Sequence, residues 1–223
     1  MTDAHCHVTG GDPSVREFLI GRDFIGVHPW ETLRNDRVIE CSNDRINGIF
    51  RRLEAEPELG IGEIGLDRLK EREISPQMRE VFEAQLKLAF EFNRPVVLHG
   101  AKCWGQVVRA VNSIIRSFDH SIIPSLLFHG FSRSDGLIPD IVALNGYISV
   151  GPAVLNDHAV NYHALVKKIP LDRLLLETDR TSENAAECPS VREVAAEVAK
   201  LRGVSVAELE RLTDENAERF RRR

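Results

Sequence analysis

Seven stretches of this sequence are apolar at consecutive positions and read as strands, and longer stretches of helical period separate them. The first closes on His5-Cys6-His7. The others are residues 23–28 (DFIGVH), 59–66 (LGIGEIGL), 94–99 (RPVVLH), 125–131 (SLLFHGF), 146–151 (GYISVG) and 173–179 (RLLLETD). A strand with no polar face must be covered on both sides, which β–α–β units do by placing helices over both faces of a parallel sheet. The intervening segments supply those helices. Ser75-Pro76 fits the N-cap and first position of a helix running through residues 79–92, and residues 103–118 carry another. Ser190-x-x-Glu193 and Ser205-x-x-Glu208 fit capping boxes, and the helix over residues 191–202 has a natural stop at Gly203. The alternation predicts an α/β fold, and 223 residues suit one domain spanning residues 1–223.

The ends of these strands distinguish a barrel from an open sheet. Side chains able to bind a metal stand at or near them: His5 and His7, then His28, Glu63, His99, His129 and finally Glu177 and Asp179. In a (β/α) barrel all C-terminal strand ends converge on one face, where such enzymes place their chemistry; an open sheet would spread them along a line. The expectation is therefore a TIM-like (β/α) barrel. In a strand, the spacing of two puts His5 and His7 on the same face. His5, His7, His99 and His129 offer imidazole nitrogens, while Glu63 and Asp179 offer carboxylates. This mixed set suits divalent Zn, Mn or Mg. Six donors exceed the needs of one four-coordinate ion, so two divalent metal ions sharing a carboxylate is the economical arrangement.

Composition narrows the classes. The net charge of −5 argues against a broad basic surface for non-specific DNA binding, although bound cations would reverse the charge of an acidic site. No apolar run is long enough to span a membrane, and no secretory leader is evident. Cys6, Cys41, Cys103 and Cys188 are scattered, as free thiols of a cytoplasmic protein would be. The basic tail, residues 219–223, reads as a solvated helix end.

The motifs DAHCH, GVHPWE, IGEIGLDRL, FEAQLKLAFEFNRPVVLH, FHGF, YISVG, LLLETD and DENAERF, in this order over nearly the whole chain, resemble those of the TatD family of metal-dependent deoxyribonucleases, a branch of the amidohydrolase-like barrels. The resemblance implies that His5, His7 and Asp179 hold one ion, that His99 and His129 hold the other, and that Glu63 bridges them. It further implies phosphodiester hydrolysis by a dinuclear metal-activated water, with Asp179 and Glu63 catalytic. The activity implied is that of a 3′–5′ DNA exonuclease acting on single-stranded DNA, or a hydrolase of a small phosphoester. The segment between His7 and His28 is short for the family and offers one short helix at most. A shortened or distorted barrel of about seven strong strands follows, and a monomer is expected.

The mouth of the site also departs from the family. Ala101 stands where longer members more often carry arginine, with Lys102 beside it, and Arg180-Thr181 follow Asp179. His28, Lys102, Arg133 and Arg180 are the candidate substrate contacts. Asp67 and Glu177 are candidates to orient metal ligands. Trp30 and Trp104 could stack on a base, with packing the alternative. His120, His158 and His163 are expected to be solvated. Two other functions compete: an amidohydrolase-like enzyme acting on a small amide, ester or phosphoester, and a catalytically silent binding protein. Many amidohydrolase-like barrels bridge their ions with a carboxylated lysine, whereas here Glu63 takes that place. Retention of all six candidate ligands argues against the silent protein.

Overall fold

Each of the seven apolar stretches forms a strand in the computed structural model, which describes residues 1–33, 38–117 and 123–222. These are β1 (Thr2–Cys6), β3 (Phe24–Ile25), β4 (Gly60–Asp67), β5 (Val96–Ala101), β6 (Leu126–Phe128), β7 (Gly146–Val150) and β8 (Leu174–Leu176). An eighth strand, β2 (Arg16–Leu19), stands where the sequence suggested at most a short helix. β2 pairs with β1 and buries only Phe18 fully among its four residues, so its two-residue period is too brief to recognise in sequence. The helices are α1 (Val38–Ala55), α2 (Pro76–Glu91), α3 (Trp104–Ser117), α4 (Ile138–Ala143), α5 (Val160–Lys168), α6 (Val191–Arg202) and α7 (Val206–Arg221). None is long and apolar enough to cross a membrane among the described residues.

All strand pairings are parallel. β3 to β8 form one sheet in chain order, and β1 with β2 forms a second. Backbone contacts join the two sheets at both edges. Ile20 bridges Phe24 on one side. On the other, the Asp179 N–H donates to the His5 carbonyl at 3.0 Å and the His7 N–H to the Arg180 carbonyl at 2.8 Å. The circuit is a TIM-like barrel with two thin seams, the distorted form expected.

The expected caps hold the helices in place. The Ser75 hydroxyl accepts from the Met78 N–H at 3.1 Å, Ser190 and Glu193 complete a capping box, and Gly203 ends α6 in the left-handed region at φ 67°. Register then sets the site. Leu98 pairs with Phe128, so His99 and His129 stand side by side one residue further on. Gly65 pairs with His99, and a Cβ at Gly65 would lie 2.0 Å from the His99 carbonyl oxygen. Only glycine lets β4 approach β5 this closely beside Glu63.

Inside the barrel, Ala4, Phe18, Phe24, Val97, Leu127, Tyr147 and Leu175 pack with Ala217 and Phe220 of α7. The Phe220 ring stacks on Phe24 at 5.8 Å and meets Tyr147 at 5.9 Å. The Arg221 guanidinium covers the rings of Phe18 and Phe24 at 5.3 and 4.9 Å and donates to the carbonyls of Asp23 and Glu58. The basic tail ends a helix as expected, with Arg219 and Arg222 exposed, but Phe220 and Arg221 turn inward as a plug against the barrel floor; Arg223 lies outside the described residues. The larger apolar cluster fills the space between sheet and helices. Phe220→Ala should therefore destabilise the fold by about 3–5 kcal/mol in urea unfolding while leaving metal content at the opposite face unchanged. A loss below about 1 kcal/mol would contradict the plug.

Candidate metal centre

Glu63 of β4 is buried at the focus of the strand ends, with 4 % of its surface exposed. Its two carboxylate oxygens face different partners. Oε2 lies 3.7 Å from His5 Nε2 and 3.4 Å from His7 Nε2, and Asp179 Oδ1 faces the same two nitrogens at 3.4 and 3.6 Å. Oε1 lies 2.5 Å from His99 Nδ1 and 2.6 Å from His129 Nε2, with His28 Nε2 at 3.6 Å. All six sequence-derived ligand candidates therefore meet in one pocket, and His28 joins them.

Hydrogen bonds beyond the pocket decide which nitrogens are free. Asp67 Oδ2 lies 2.7 Å from His99 Nε2 and fixes a proton there, so Nδ1, which faces Glu63, is the nitrogen an ion would take once its own proton has left. His28 Nδ1 accepts from the Trp30 backbone N–H at 3.2 Å, so the proton of a neutral His28 sits on Nε2. His28 lies near enough to Glu63 and His99 to share an ion with them. This tautomer nevertheless makes its inward nitrogen a hydrogen-bond donor rather than a metal ligand.

The donor set fits divalent cations. His5, His7 and Glu63 form one group with metal-binding separations, and His5, His129 and Asp179 another. His5 Nδ1 and Nε2 and His129 Nδ1 are buried with no hydrogen-bond partner within the protein. Such orphans are unfavourable, and an ion before His5 Nε2 would satisfy one of them.

Charge completes the fit. Burial works to raise the Glu63 pKa, but the charge of His129 and hydrogen bonds from His129, His28 and His7 outweigh it and hold the carboxyl well below its usual range. Burial likewise opposes charge on His129, yet Glu63, Glu177 and Asp179 push its pKa up. His5 goes the other way: burial, then the charge of His129, lower it to about 4. The hydrogen bond to Glu63 raises His7, and bonds donated to Asp67 and Glu63 overcome burial to raise His99.

Of the supporting groups, Asp3 is not singled out as such by the sequence, whereas Glu177 is one of its two candidates to orient a ligand. Asp3 accepts from the Thr178 N–H at 3.0 Å and from its hydroxyl at 2.6 Å, tying β1 to the end of β8. Its place two residues before His5 is the available signal. Glu177 accepts from the Gly130 N–H at 2.8 Å and the Ser149 hydroxyl at 2.5 Å, and its Oε2 lies 3.8 Å from His129 Nδ1. Burial raises the Glu177 pKa to about 7.

An open groove of about 1240 Å³ runs outward from Glu177 and Asp179 and is lined by Arg133, His158 and Tyr162. The Asp179 side chain, half exposed and with backbone φ 50°, stands at its inner end. Lys102 is exposed just beyond β5, and no contact places it on the centre. Arg180 departs from its expected role: its guanidinium donates to the carbonyls of Ala185 and Cys188 and braces that loop. His163 is half-buried with Nε2 2.8 Å from the Val154 carbonyl oxygen rather than solvated, His158 is exposed, and His120 lies outside the described residues. Trp104 is buried, whereas Trp30 reaches the rim. Cys6, Cys103 and Cys188 are free; the Cys41 side chain lies outside the described residues.

Asp67→Ala should weaken metal binding about 10- to 100-fold, measured by titration with Mn²⁺ or Zn²⁺, because it frees the His99 ring and its tautomer. Protons held by His129, His99 and His7 must also leave before a nitrogen lone pair can bind an ion, so uptake should acidify a weakly buffered solution. Affinity should rise with pH from about 6.5 to about 10, where the raised His129 gives up its proton, and a flat profile would contradict this proton count.

The family profile described as "TatD related DNase" matches residues 21–222. The uncharacterized metal-dependent hydrolase YabD of Bacillus subtilis is 30% identical over 205 residues, covering 88% of this chain and 75% of YabD. The 3′-5′ ssDNA/RNA exonuclease TatD of Pantoea vagans is 29% identical over 205 residues, covering 86% of this chain and 74% of that protein. The crystal structure of YJJV, a TatD homolog from Escherichia coli K12, superposes with a TM-score of 0.75 at 22% identity, over 98% of this chain and 96% of that one. With this profile match across most of its length, the chain belongs to the TatD-related DNase family of metal-dependent hydrolases.

Proposed function

We propose that this protein hydrolyses phosphodiester bonds in single-stranded nucleic acid, as a 3′–5′ exonuclease on DNA, with two divalent ions held around Glu63. The observation that carries this reading is the split of the Glu63 carboxylate, with His5 and His7 facing one oxygen and His99 and His129 facing the other. In this reading His5, His7 and Asp179 hold one ion, His99 and His129 the second, and Glu63 touches both. When bound, the pair supplies an activated water and offsets charge gathering on the phosphate oxygens.

The protein's own groups complete the chemistry. Asp179, half open to the groove, takes the proton of the attacking water as its oxygen bonds to phosphorus. The bond from phosphorus to the leaving oxygen breaks, and that alkoxide takes up the proton that Asp179 received from the water, which restores the carboxylate. His28 offers its Nε2–H to a phosphate oxygen. Asp67 keeps the His99 ring aimed, and the Glu177 carboxylate lies 3.8 Å behind His129 Nδ1. Arg133 on the groove wall is placed to meet the next backbone phosphate, whereas Lys168 is paired with Asp135. The groove is larger than a small phosphoester needs, which favours an extended substrate. The name of the Pantoea relative as a 3′-5′ ssDNA/RNA exonuclease supports the same class.

Single-stranded DNA, RNA and small phosphoesters assayed with Mg²⁺, Mn²⁺ or Zn²⁺ test the reading. Asp179→Asn should reduce kcat by about 10²–10⁴ with the fold intact by circular dichroism. Glu63→Gln should bind fewer ions by elemental analysis and lose activity alongside. Full turnover by either variant, or turnover confined to amides or esters, would overturn it.

A further inference from the structure

We propose that Trp30, with Lys70 above it, forms a seat for a nucleobase at the rim of the metal centre, so that the enzyme grips a base beside the phosphate it cleaves. This inference rests on the nucleic-acid reading above and gives Trp30, whose indole N–H also donates to Asp67, a second part outside the metal chemistry. Trp30 is 38% exposed, unlike Trp104, which is packed against Phe128 and Phe131. Exposing so large an apolar ring is unfavourable unless something covers it. Leu69, next to Lys70 in sequence, is exposed just past the end of β4.

The indole is held close to the chemistry. Its centroid lies 4.9 Å from that of His28, at 80° between planes, and 6.4 Å from that of His99. The turn carrying it, Pro29–Leu33, is pinned at several points. The Trp30 N–H donates to His28 Nδ1, the His28 N–H donates to Glu31 at 3.0 Å, and the Thr32 hydroxyl donates to the Pro29 carbonyl at 2.7 Å. A ring fixed on a short tight turn loses little freedom when a ligand stacks on it, and stacking accepts every base because every base has a π-face.

Lys70 supplies the second half of the seat. Its ammonium lies 3.8 Å from the Trp30 ring centroid, in a cation–π contact. A base arriving on that face displaces the ammonium, which is then free to pair with the flanking phosphate. The seat therefore exchanges one cation–π contact for a stack and an ion pair. An exonuclease reading single strands of any sequence needs this kind of tolerant grip.

The test compares a nuclease-resistant phosphorothioate tetranucleotide with its abasic counterpart of equal charge. Binding is followed with Mg²⁺ by anisotropy of a label on the far end, and by indole fluorescence in the wild type. The base-bearing strand should bind about tenfold more tightly than the abasic one and quench the exposed indole. In Trp30→Leu the ratio should fall to about one, and in Trp30→Phe part of it should return. Using a ratio removes any general effect on the pocket. Lys70→Ala should keep a base-dependent gain but lower the salt dependence of binding by about one counterion. Equal affinity for the two strands, no binding of either, or an unchanged ratio in Trp30→Leu would overturn the seat. An unchanged salt dependence in Lys70→Ala would overturn the part given to Lys70. The nuclease reading fails separately, if ordinary single strands are bound but never cleaved.

Discussion

One buried carboxylate organises this molecule. Glu63 sits almost out of contact with water among five imidazoles, and its negative charge is tolerated only because protons on those rings, or cations in their place, balance it. The rings in turn need fixed directions. Asp67 sets the His99 tautomer, Glu177 ties the start of the β6–α4 connection to β7, and Asp3 locks the ends of β1 and β8 together. Remove the central charge and these surrounding hydrogen bonds lose the arrangement they serve. The glycine at position 65 belongs to the same construction, since it admits the His99 backbone to the space a side chain would fill.

What was legible in the sequence follows from how barrels are wired. Strand ends converge, so His5, His7, Glu63, His99, His129 and Asp179 announce a pocket although they span most of the chain. Helix ends were equally plain, because Ser75, Ser190 and Gly203 act on neighbours a few positions away. Features set by distant contacts were not. β2 is four residues long and exists because β1 lies beside it. Arg180 looks like a phosphate ligand until its partners are seen to be main-chain carbonyls, which leave no mark on composition. Phe220 is flanked by arginines that suggest solvent, yet its ring enters the barrel.

The site is lopsided in a way that bears on its use. One side opens into a groove beside Asp179, and the other carries an indole and a lysine ammonium beside His28 and His99. The donors between them are nearly all sequestered, leaving the Asp179 carboxylate as the most open of the six. Backbone at the left-handed positions Lys102, Arg133 and Asp179 follows strand ends on this same face, as expected where function rather than packing sets the conformation.

The floor of the barrel has a consequence for how the chain is made. Thr2 of β1 accepts its neighbours late: its hydroxyl bonds Asp214 across 212 positions, Arg16 of β2 pairs with Glu218, and Phe220 completes the inner packing. A ribosome therefore releases the first two strands long before their partners exist. The nascent chain must wait, with His5 and His7 unassembled, until α7 has emerged, and closure is slow because it joins segments 212 positions apart.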